Sequence, residues 1–118
     1  MPSTKLVVKE KVIERGIIAW LKLMKVFAFK VENGAVFDQK RGAFRFNSST
    51  RTRGIPDIIA LHESVAYAIE VKSATGRLSV HQKAFLADWQ SSGGVAVVAR
   101  SIDDVEAAIF KSNEVLSK

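Results

Sequence analysis

Three charged residues interrupt apolar sequence near the middle of the chain. Asp57 ends the segment GIPD, and Glu70 and Lys72 flank a valine in the segment EVK. Buried charge is unfavourable unless it is paired or coordinates a metal. Carboxylate and backbone oxygens are hard ligands that suit Mg²⁺ or Mn²⁺. The sequence therefore predicts a divalent cation site, and hydrolysis of a phosphodiester by an activated water is the reaction that such a site favours.

Two strands are predicted to bring the acids together. Residues 58–61 and 65–71 are apolar and rich in β-branched side chains, which is typical of strands. If residues 63–64 form a two-residue hairpin loop, Asp57 lies directly opposite Glu70. The Cβ atoms of such pairs are about 4.5 to 5.5 Å apart, and at that separation two carboxylates repel each other unless a cation bridges them.

The same register assigns the two faces of the second strand. Lys72 points to the side of Glu70, where Ala66 and Ala68 are small enough to leave room for a ligand. The other face is predicted to be core and carries Tyr67, Ile69 and Val71. The loop lacks the Asn-Gly or Gly-X sequence that two-residue hairpins prefer. A register shifted by one residue is therefore the alternative, and it would turn Asp57 to the opposite face.

An amphipathic helix is predicted for residues 6–25. Apolar residues recur at spacings of four, three and four, at Ile13, Ile17, Trp20 and Met24. The directions of Glu10 and Glu14 fall within this apolar arc, so both acids are expected to face the protein. We interpret one of the two as a further ligand of the cation. The alternative is an acid at the helix edge whose stem packs while its carboxylate reaches solvent.

The segment 35–53 is basic and irregular. It contains no acid after Asp38, and its basic residues are Lys40, Arg41, Arg45, Arg51 and Arg53. The polar residues 47–50 between the arginines suit phosphate oxygens. We predict a loop that guides a nucleic-acid backbone into the site, with one short strand near residues 43–46. The alternative is a solvated loop without a binding role.

A strand and a second helix surround these segments. Residues 26–32 alternate between apolar and polar, with Phe27, Phe29 and Val31 on one face. A helix begins after Ser79, where Gln82 completes a capping box, and Gly93-Gly94 ends it. Gln82 is either a capping partner alone or also a polar group of the site.

The last two elements complete the order α, three β, α, β, α. Residues 95–99 are continuously apolar, which indicates a buried central strand. Ser101 caps a final helix whose inward side chains are Ile102, Val105 and Ile109. This order predicts an α/β fold in which helices flank a mixed sheet, and one domain that spans residues 1–118.

Composition limits the possible partners. The 118 residues include 18 Lys and Arg against 12 Asp and Glu, a net charge of +6, so a polyanion is a plausible partner. The absence of cysteine excludes disulfides and thiolate zinc sites, and His62 and His81 form no pair with metal-ligand spacing. No stretch resembles a signal peptide or reaches about 18 apolar residues. We therefore expect a soluble, cytoplasmic protein that does not contact membranes.

Taken together, the motifs resemble a known superfamily of nucleases. The segments GIPD, EVK and GRLS and the following Gln82 look like those of the PD-(D/E)xK nucleases, and specifically of the VRR-NUC branch in its stand-alone form, which is similar to Holliday-junction resolvases. The likeness covers nearly the whole chain. It implies a restriction-endonuclease-like αβββαβ core with a C-terminal helix. Residues 35–53 are a longer insertion than the smallest members are expected to have.

The resemblance also implies roles for individual residues. The implied ligands of Mg²⁺ or Mn²⁺ are Asp57, Glu70, the Val71 backbone carbonyl and Glu14. Here Glu14 is preferred to Glu10 as the acid of the first helix. Lys72 is the implied catalytic lysine, which orients or deprotonates the water or stabilises negative charge, and Gln82 is a supporting active-site residue. Arg77 joins the arginines of the basic segment as a residue expected to bind DNA.

The activity that follows is that of a structure-selective DNA endonuclease. The resemblance implies a homodimer that acts on branched DNA such as four-way junctions. Two alternatives remain open: a DNA-binding module that uses the nuclease fold without catalysis, and a nuclease for ordinary duplex DNA. The aromatic residues Trp20, Phe27 and Trp89 are candidates for the dimer interface, unless they belong to the core.

Overall fold

The computed structural model of the chain describes residues 7–32, 35–38, 40, 42–46 and 52–111. Within these ranges, the elements in chain order are α1 (Glu10–Leu23), β1 (Phe27–Lys30), β2 (Ala35–Asp38), β3 (Ala43–Phe46), β4 (Ile58–His62), β5 (Val65–Val71), α2 (Val80–Ser91), β6 (Val95–Ala99) and α3 (Ile102–Glu106). A π-helical turn, Ala107–Lys111, continues α3. None of the described helices is long and apolar enough to cross a membrane.

The central sheet has the strand order β1-β4-β5-β6 within the described part of the chain. Strand β4 pairs antiparallel with both β1 and β5, whereas β5 and β6 are parallel. Helices α1 and α3 pack against each other and the sheet, and α2 packs on β5 and β6. The predicted mixed sheet with flanking helices is therefore confirmed, and the arrangement is that of the restriction-endonuclease-like fold.

The core lies between the sheet and the pair α1 and α3. Its fully buried members include Ile17, Leu21, Ile58, Ile69, Val105 and Ile109. Tyr67 and Val71 are also buried, so the predicted core face of β5 is confirmed. Burial of a side chain of this size contributes roughly 1.5–3 kcal/mol relative to exposure. This apolar layer anchors the strands whose ends carry the charged residues.

The hairpin between β4 and β5 has the two-residue loop that the sequence predicts. His62 pairs with Val65, so the register is the one that places Asp57 opposite Glu70. Glu63 and Ser64 have φ values of 49° and 67°, in the left-handed region that a type I′ turn requires at both positions. Two non-glycine residues thus form the tight turn. Their left-handed backbone conformation is unfavourable, and the pairing of β4 with β5 compensates for its cost.

The basic segment contains a second hairpin. β2 and β3 pair antiparallel, from Ala35 with Phe46 to Asp38 with Ala43, and form a two-stranded sheet of their own. The predicted strand near residues 43–46 is confirmed. The prediction that residues 35–38 are irregular is wrong, because a strand of four residues is too short for its alternation to stand out from the surrounding polar sequence.

Strand β6 lies at one edge of the described sheet, which corrects the prediction of a central strand. Its apolar sequence has a different cause. Helix α2 packs against β6, and so does α3, and Val97 and Ala99 belong to the core. A strand that is covered on both faces needs apolar residues at every position, wherever it lies in the sheet.

One prediction about the orientation of a side chain also needs correction. Ile102 is 37% exposed instead of facing inward. It lies over Gly16, which has no side chain to cover it. Strand β1 turns its aromatic side chains outward: Phe27 and Phe29 are 65% and 48% exposed, whereas the preceding Val26 is buried.

Helix α2 occupies the space beside Ala66 and Ala68. Ala68 is fully buried, and Nε1 of the half-buried Trp89 donates a hydrogen bond to the Ala66 carbonyl at 3.2 Å. A β-carbon on Gly94 would lie 2.2 Å from the same Nε1. The prediction that the two alanines leave room for a ligand is therefore wrong, because their small size allows the helix to approach the sheet.

Gly54 fixes the segment that leads to Asp57 against the start of α2. Its φ is +74°, and a β-carbon on it would lie 2.2 Å from the His81 carbonyl oxygen and 2.6 Å from the Gln82 nitrogen. These are backbone atoms of a helix and cannot rotate away. Both the conformation and the space at this position therefore require glycine.

We expect Gly54→Ala to destabilise the protein by more than the roughly 1–2 kcal/mol that left-handed φ costs an L-residue. The added β-carbon must also displace helix backbone. Gly42→Ala is the matched control, because Gly42 has a φ of +62° but nothing within 4 Å of its β-carbon position. Urea unfolding of both variants measures the difference. Equal losses of unfolding free energy would show that the close contact with α2 has no effect.

Candidate active site

Asp57 is held by main-chain hydrogen bonds just before β4 begins. Its N–H donates to the Ile69 carbonyl at 3.1 Å, and its carbonyl accepts from the Val31 N–H at 2.9 Å. Its side-chain Oδ2 accepts from the Val71 N–H at 2.8 Å. Because these bonds come from the two strands on either side, the carboxylate has a defined position beside the end of β5.

Glu70 is almost completely buried, with 2% of its surface exposed. Its Oε1 accepts a hydrogen bond from Gln82 Nε2 at 3.1 Å. Its Oε2 is buried and has no hydrogen-bond donor among the described residues. The Asp57 carboxylate lies within hydrogen-bonding reach of Glu70, but carboxylates only accept when both are ionised.

The environment raises the pKa of Glu70 from 4.5 to about 8. Burial contributes most, followed by the negative charge of Asp57 and a hydrogen bond with it, and the charge of Glu10 adds to the effect. The positive charge of the Lys72 ammonium group lowers the pKa of Glu70. The acid pair therefore needs a positive partner between its oxygens, either a proton or a cation.

This acid pair fits a hard divalent cation. One carboxylate oxygen of Glu70 is buried without a partner, the Asp57 carboxylate lies beside Glu70, and Val71 borders the adjacent cleft. The described residues include no group of three or more His, Cys, Asp or Glu side chains placed to hold a metal ion. Mg²⁺ is commonly bound through one or two carboxylates and keeps several waters, so a full cage of protein ligands is not required.

Lys72 lies where β5 ends and is 9% exposed. Its N–H donates to the Ala99 carbonyl of β6 at 3.0 Å, which fixes the backbone from which the side chain extends. Its positive charge lowers the pKa of Glu70, so the ammonium group acts on the same site. The expectation that Lys72 shares the face of Glu70 agrees with this placement.

A cleft of about 360 Å³ opens beside Asp57. Its charged lining residues are Glu10, Lys11, Glu14, Lys30, Glu32 and Asp57. Glu14 is buried, as expected, and forms an ion pair with Lys30 at 3.5 Å. Glu10 is exposed at the start of α1, so the expectation that both helix acids face the protein is correct only for Glu14.

Glu10 nevertheless extends towards Lys72. A β-carbon on Gly76 would lie 3.4 Å from Glu10 Oε2 and 3.4 Å from Lys72 Cδ, so these two side chains border the same point. The charge of Glu10 also contributes to the raised pKa of Glu70. Both acids of α1 thus lie at the site, Glu14 in an ion pair and Glu10 near Lys72.

Gln82 has both of the roles that the sequence leaves open. Its Oε1 accepts from the Ser79 N–H at 2.8 Å, and Ser79 Oγ accepts from the Gln82 N–H at 3.1 Å, which completes the predicted capping box. Its Nε2 donates to Glu70. One amide therefore couples the start of α2 to the buried acid.

The residues expected to bind DNA lie in separate segments of the chain. Arg53 is exposed and contacts His81, and Arg77 is exposed in the loop between β5 and α2. Lys40 lies exposed in the turn between β2 and β3, and Arg45 lies in β3. The predicted residues Arg41 and Arg51 lie outside the described residues.

Arg100 is a structural residue of the site that the sequence analysis missed. Its Nη1 donates to the Ser73 carbonyl and, at 2.8 Å, to the Gly76 carbonyl, and its N–H donates to Asp104 Oδ2 at 2.8 Å. It therefore holds the loop that follows Lys72. A signal was present, because the carboxyl ends of parallel strands meet at one edge, and Arg100 directly follows β6.

Comparison with known proteins places these residues in a family. The profile of the VRR-NUC domain matches residues 9–103, which include both acids of α1, the acid pair, Lys72 and Gln82. No curated protein matches the chain.

The raised pKa of Glu70 predicts how stability depends on pH without a bound cation. Between pH 4.5 and about 8 the folded protein holds a proton on Glu70 that the unfolded chain has lost. Unfolding free energy therefore falls as pH rises through this range and levels off above it. We expect the melting temperature in excess chelator to decrease from pH 5 to pH 8.

Glu70→Gln should remove this decrease, because an amide has no proton to lose. Asp88→Asn is the control, since Asp88 is exposed on α2. Calorimetry of the three proteins across the pH series gives the slopes. The same slope in Glu70→Gln as in the unmodified protein would contradict the assignment.

Proposed function

Since the chain belongs to the VRR-NUC family, a family of nucleases, we propose that it is a Mg²⁺- or Mn²⁺-dependent endonuclease that hydrolyses phosphodiester bonds in branched DNA such as four-way junctions. The observation that carries the proposal is the pair of half-buried Asp57 and buried Glu70, in which one oxygen of Glu70 has no donor among the described residues. A fold without catalytic chemistry gains nothing from this arrangement.

The residues that would hold the cation are Asp57, Glu70, the Val71 backbone carbonyl and Glu14. When bound, the cation supplies Lewis-acid activation of water and neutralises charge at the phosphoryl group. Glu10 is the alternative to Glu14, since Glu14 is paired with Lys30 and would have to exchange that partner. Gln82 positions Glu70 by donating to its Oε1.

Lys72 provides positive charge at the reacting phosphate. Its backbone is fixed by the bond to Ala99, and the loop that follows it is held by Arg100. The ammonium group therefore needs little reorganisation to donate to a phosphate oxygen or to the attacking water. Preorganised donors of this kind account for a large part of transition-state stabilisation in enzymes.

We expect Asp57→Asn and Lys72→Met to reduce the cleavage rate by at least about 100-fold, because each removes a charge that acts on the reacting groups. Rates are measured with labelled four-way junctions, flaps and plain duplex in Mn²⁺. Asp88→Asn serves as the control. Full activity of either site variant would exclude the proposed mechanism. Equal rates on duplex and junction would exclude branch selectivity while leaving nuclease activity intact.

The same assay separates the two acids of α1. If Glu14 is the ligand, Glu14→Gln raises the Mn²⁺ concentration needed for half-maximal rate, whereas Glu10→Gln leaves it unchanged. The reverse pattern would identify Glu10 as the ligand.

We also propose that the protein acts as a homodimer, since two related sites suit a two-fold symmetric junction. The support is an exposed apolar face on β1 and β4. Phe27 and Phe29 lie there with ring centroids 6.0 Å apart, and Leu61, opposite Phe27, is 45% exposed. Contiguous exposed apolar side chains commonly mark interaction sites. The other candidates, Trp20 and Trp89, are packed within the protein.

Phe27→Glu should convert the dimer to a monomer, because a carboxylate cannot be buried in an apolar interface without a partner. Light scattering at micromolar concentration measures the mass. Leu23→Glu is the matched control, since Leu23 is 78% exposed on α1. A monomeric unmodified protein, or equal effects of the two variants, would argue against this interface.

A further inference from the structure

We propose that a second cleft, formed by Arg53, His81 and neighbouring polar groups, binds a backbone phosphate of the DNA close to the cleaved bond. This inference rests on the proposed nuclease function, because the phosphate belongs to the same substrate. The cleft has a volume of about 380 Å³, and its polar side chains come from Thr52, Arg53, Ser79, His81 and Gln82.

The charge of this cleft suits an anion. Among the described residues that line it, Arg53 is the charged group and none is an acid. The cleft in front of Asp57 is lined instead by four acids and two lysines. A phosphate approaching the protein is therefore attracted to the second cleft and repelled by the first as long as the acids there are not neutralised.

The contact between Arg53 and His81 determines which of their N–H groups can donate to a phosphate. Arg53 Nη1 lies 3.3 Å from His81 Nε2. A guanidinium group has no acceptor, so His81 Nε2 accepts, and in the neutral ring the proton is on Nδ1. Arg53 retains its other N–H groups for a phosphate, which guanidinium binds in a bidentate manner. His81 can donate its ring proton to the same anion.

The backbone around the cleft is fixed before a ligand arrives. Gly54, the residue after Arg53, packs so closely on the His81 carbonyl that a β-carbon would lie 2.2 Å from it. His81 itself lies in the first turn of α2, which the capping box of Ser79 and Gln82 holds. The two side chains therefore start from positions that are set relative to each other, which limits the entropy lost on binding.

The cleft is also connected to the catalytic acids. Gln82 lines it and donates to Glu70, and Arg53 lies four positions before Asp57 in the chain. A fully extended segment of that length spans at most about 14 Å. A phosphate in the cleft thus belongs to a nucleotide within a few positions of the cleaved bond.

The test measures binding of fluorescein-labelled duplex and four-way junction by anisotropy, in chelator, so that cleavage is absent. Arg53→Ala and His81→Ala should each weaken binding by about 5- to 10-fold, and Arg53→Ala should reduce the slope of log affinity against log salt by about one. Lys83→Ala is the control, since Lys83 is exposed on α2 but does not line the cleft. Circular dichroism verifies that the variants fold, and His81→Gln provides a second, conservative change.

Substrates with single neutral methylphosphonate linkages identify the phosphate itself. At one position near the cleavage site the neutral linkage should weaken binding of the unmodified protein but not of Arg53→Ala. Unchanged affinity and salt slope in Arg53→Ala, or an equal loss in Lys83→Ala, would overturn the subsite. A different result would contradict the nuclease proposal: the unmodified protein would bind DNA through this cleft but would cleave none of the substrates.

Discussion

The pairing of Asp57 with Glu70 is the constraint on which the rest of the molecule depends. It exists because the β4–β5 hairpin has one register, and a slip of one residue would place the two carboxylates on opposite faces of the sheet. The register in turn depends on the two-residue turn, in which Glu63 and Ser64 both adopt left-handed φ values. A local conformation on the protein surface thus determines whether the two acids meet.

Three further contacts, from different parts of the chain, hold the pair at its position. Gly54 packs on the backbone of α2, Gln82 of the same helix donates to Glu70, and Arg100 holds the loop that follows Lys72. Helix α2, strand β6 and the β4–β5 hairpin therefore meet near the end of β5. The charged groups are thus held in place from three sides: by the segment before β4, by the residue after β6 and by α2.

The register of the β4–β5 hairpin was easier to predict from the sequence than the order of the strands. The polar break at residues 62–64 indicated a tight turn, and the register that follows from a two-residue loop is the one observed. The edge position of β6 could not be predicted, because a strand covered by α2 and α3 has the same apolar sequence as a central one. Strand order also determines that Phe27 faces outward and that Arg100 donates hydrogen bonds to Ser73 and Gly76. No local sequence pattern encodes the order of the strands.

The stability of the fold does not explain why residue 70 is a glutamate. Its burial beside Asp57 raises its pKa to about 8, so at neutral pH the folded protein must either retain a proton or bury a repelling charge. A glutamine of the same shape would avoid this cost and could still accept a hydrogen bond from Gln82. The fold would therefore be more stable with the neutral residue, and what an amide lacks is the negative charge with which Glu70 and Asp57 together would neutralise a divalent cation. Residues that reduce stability where a neutral substitute would fit are expected at functional sites, which is why this acid pair, more than the basic surface, argues for catalysis.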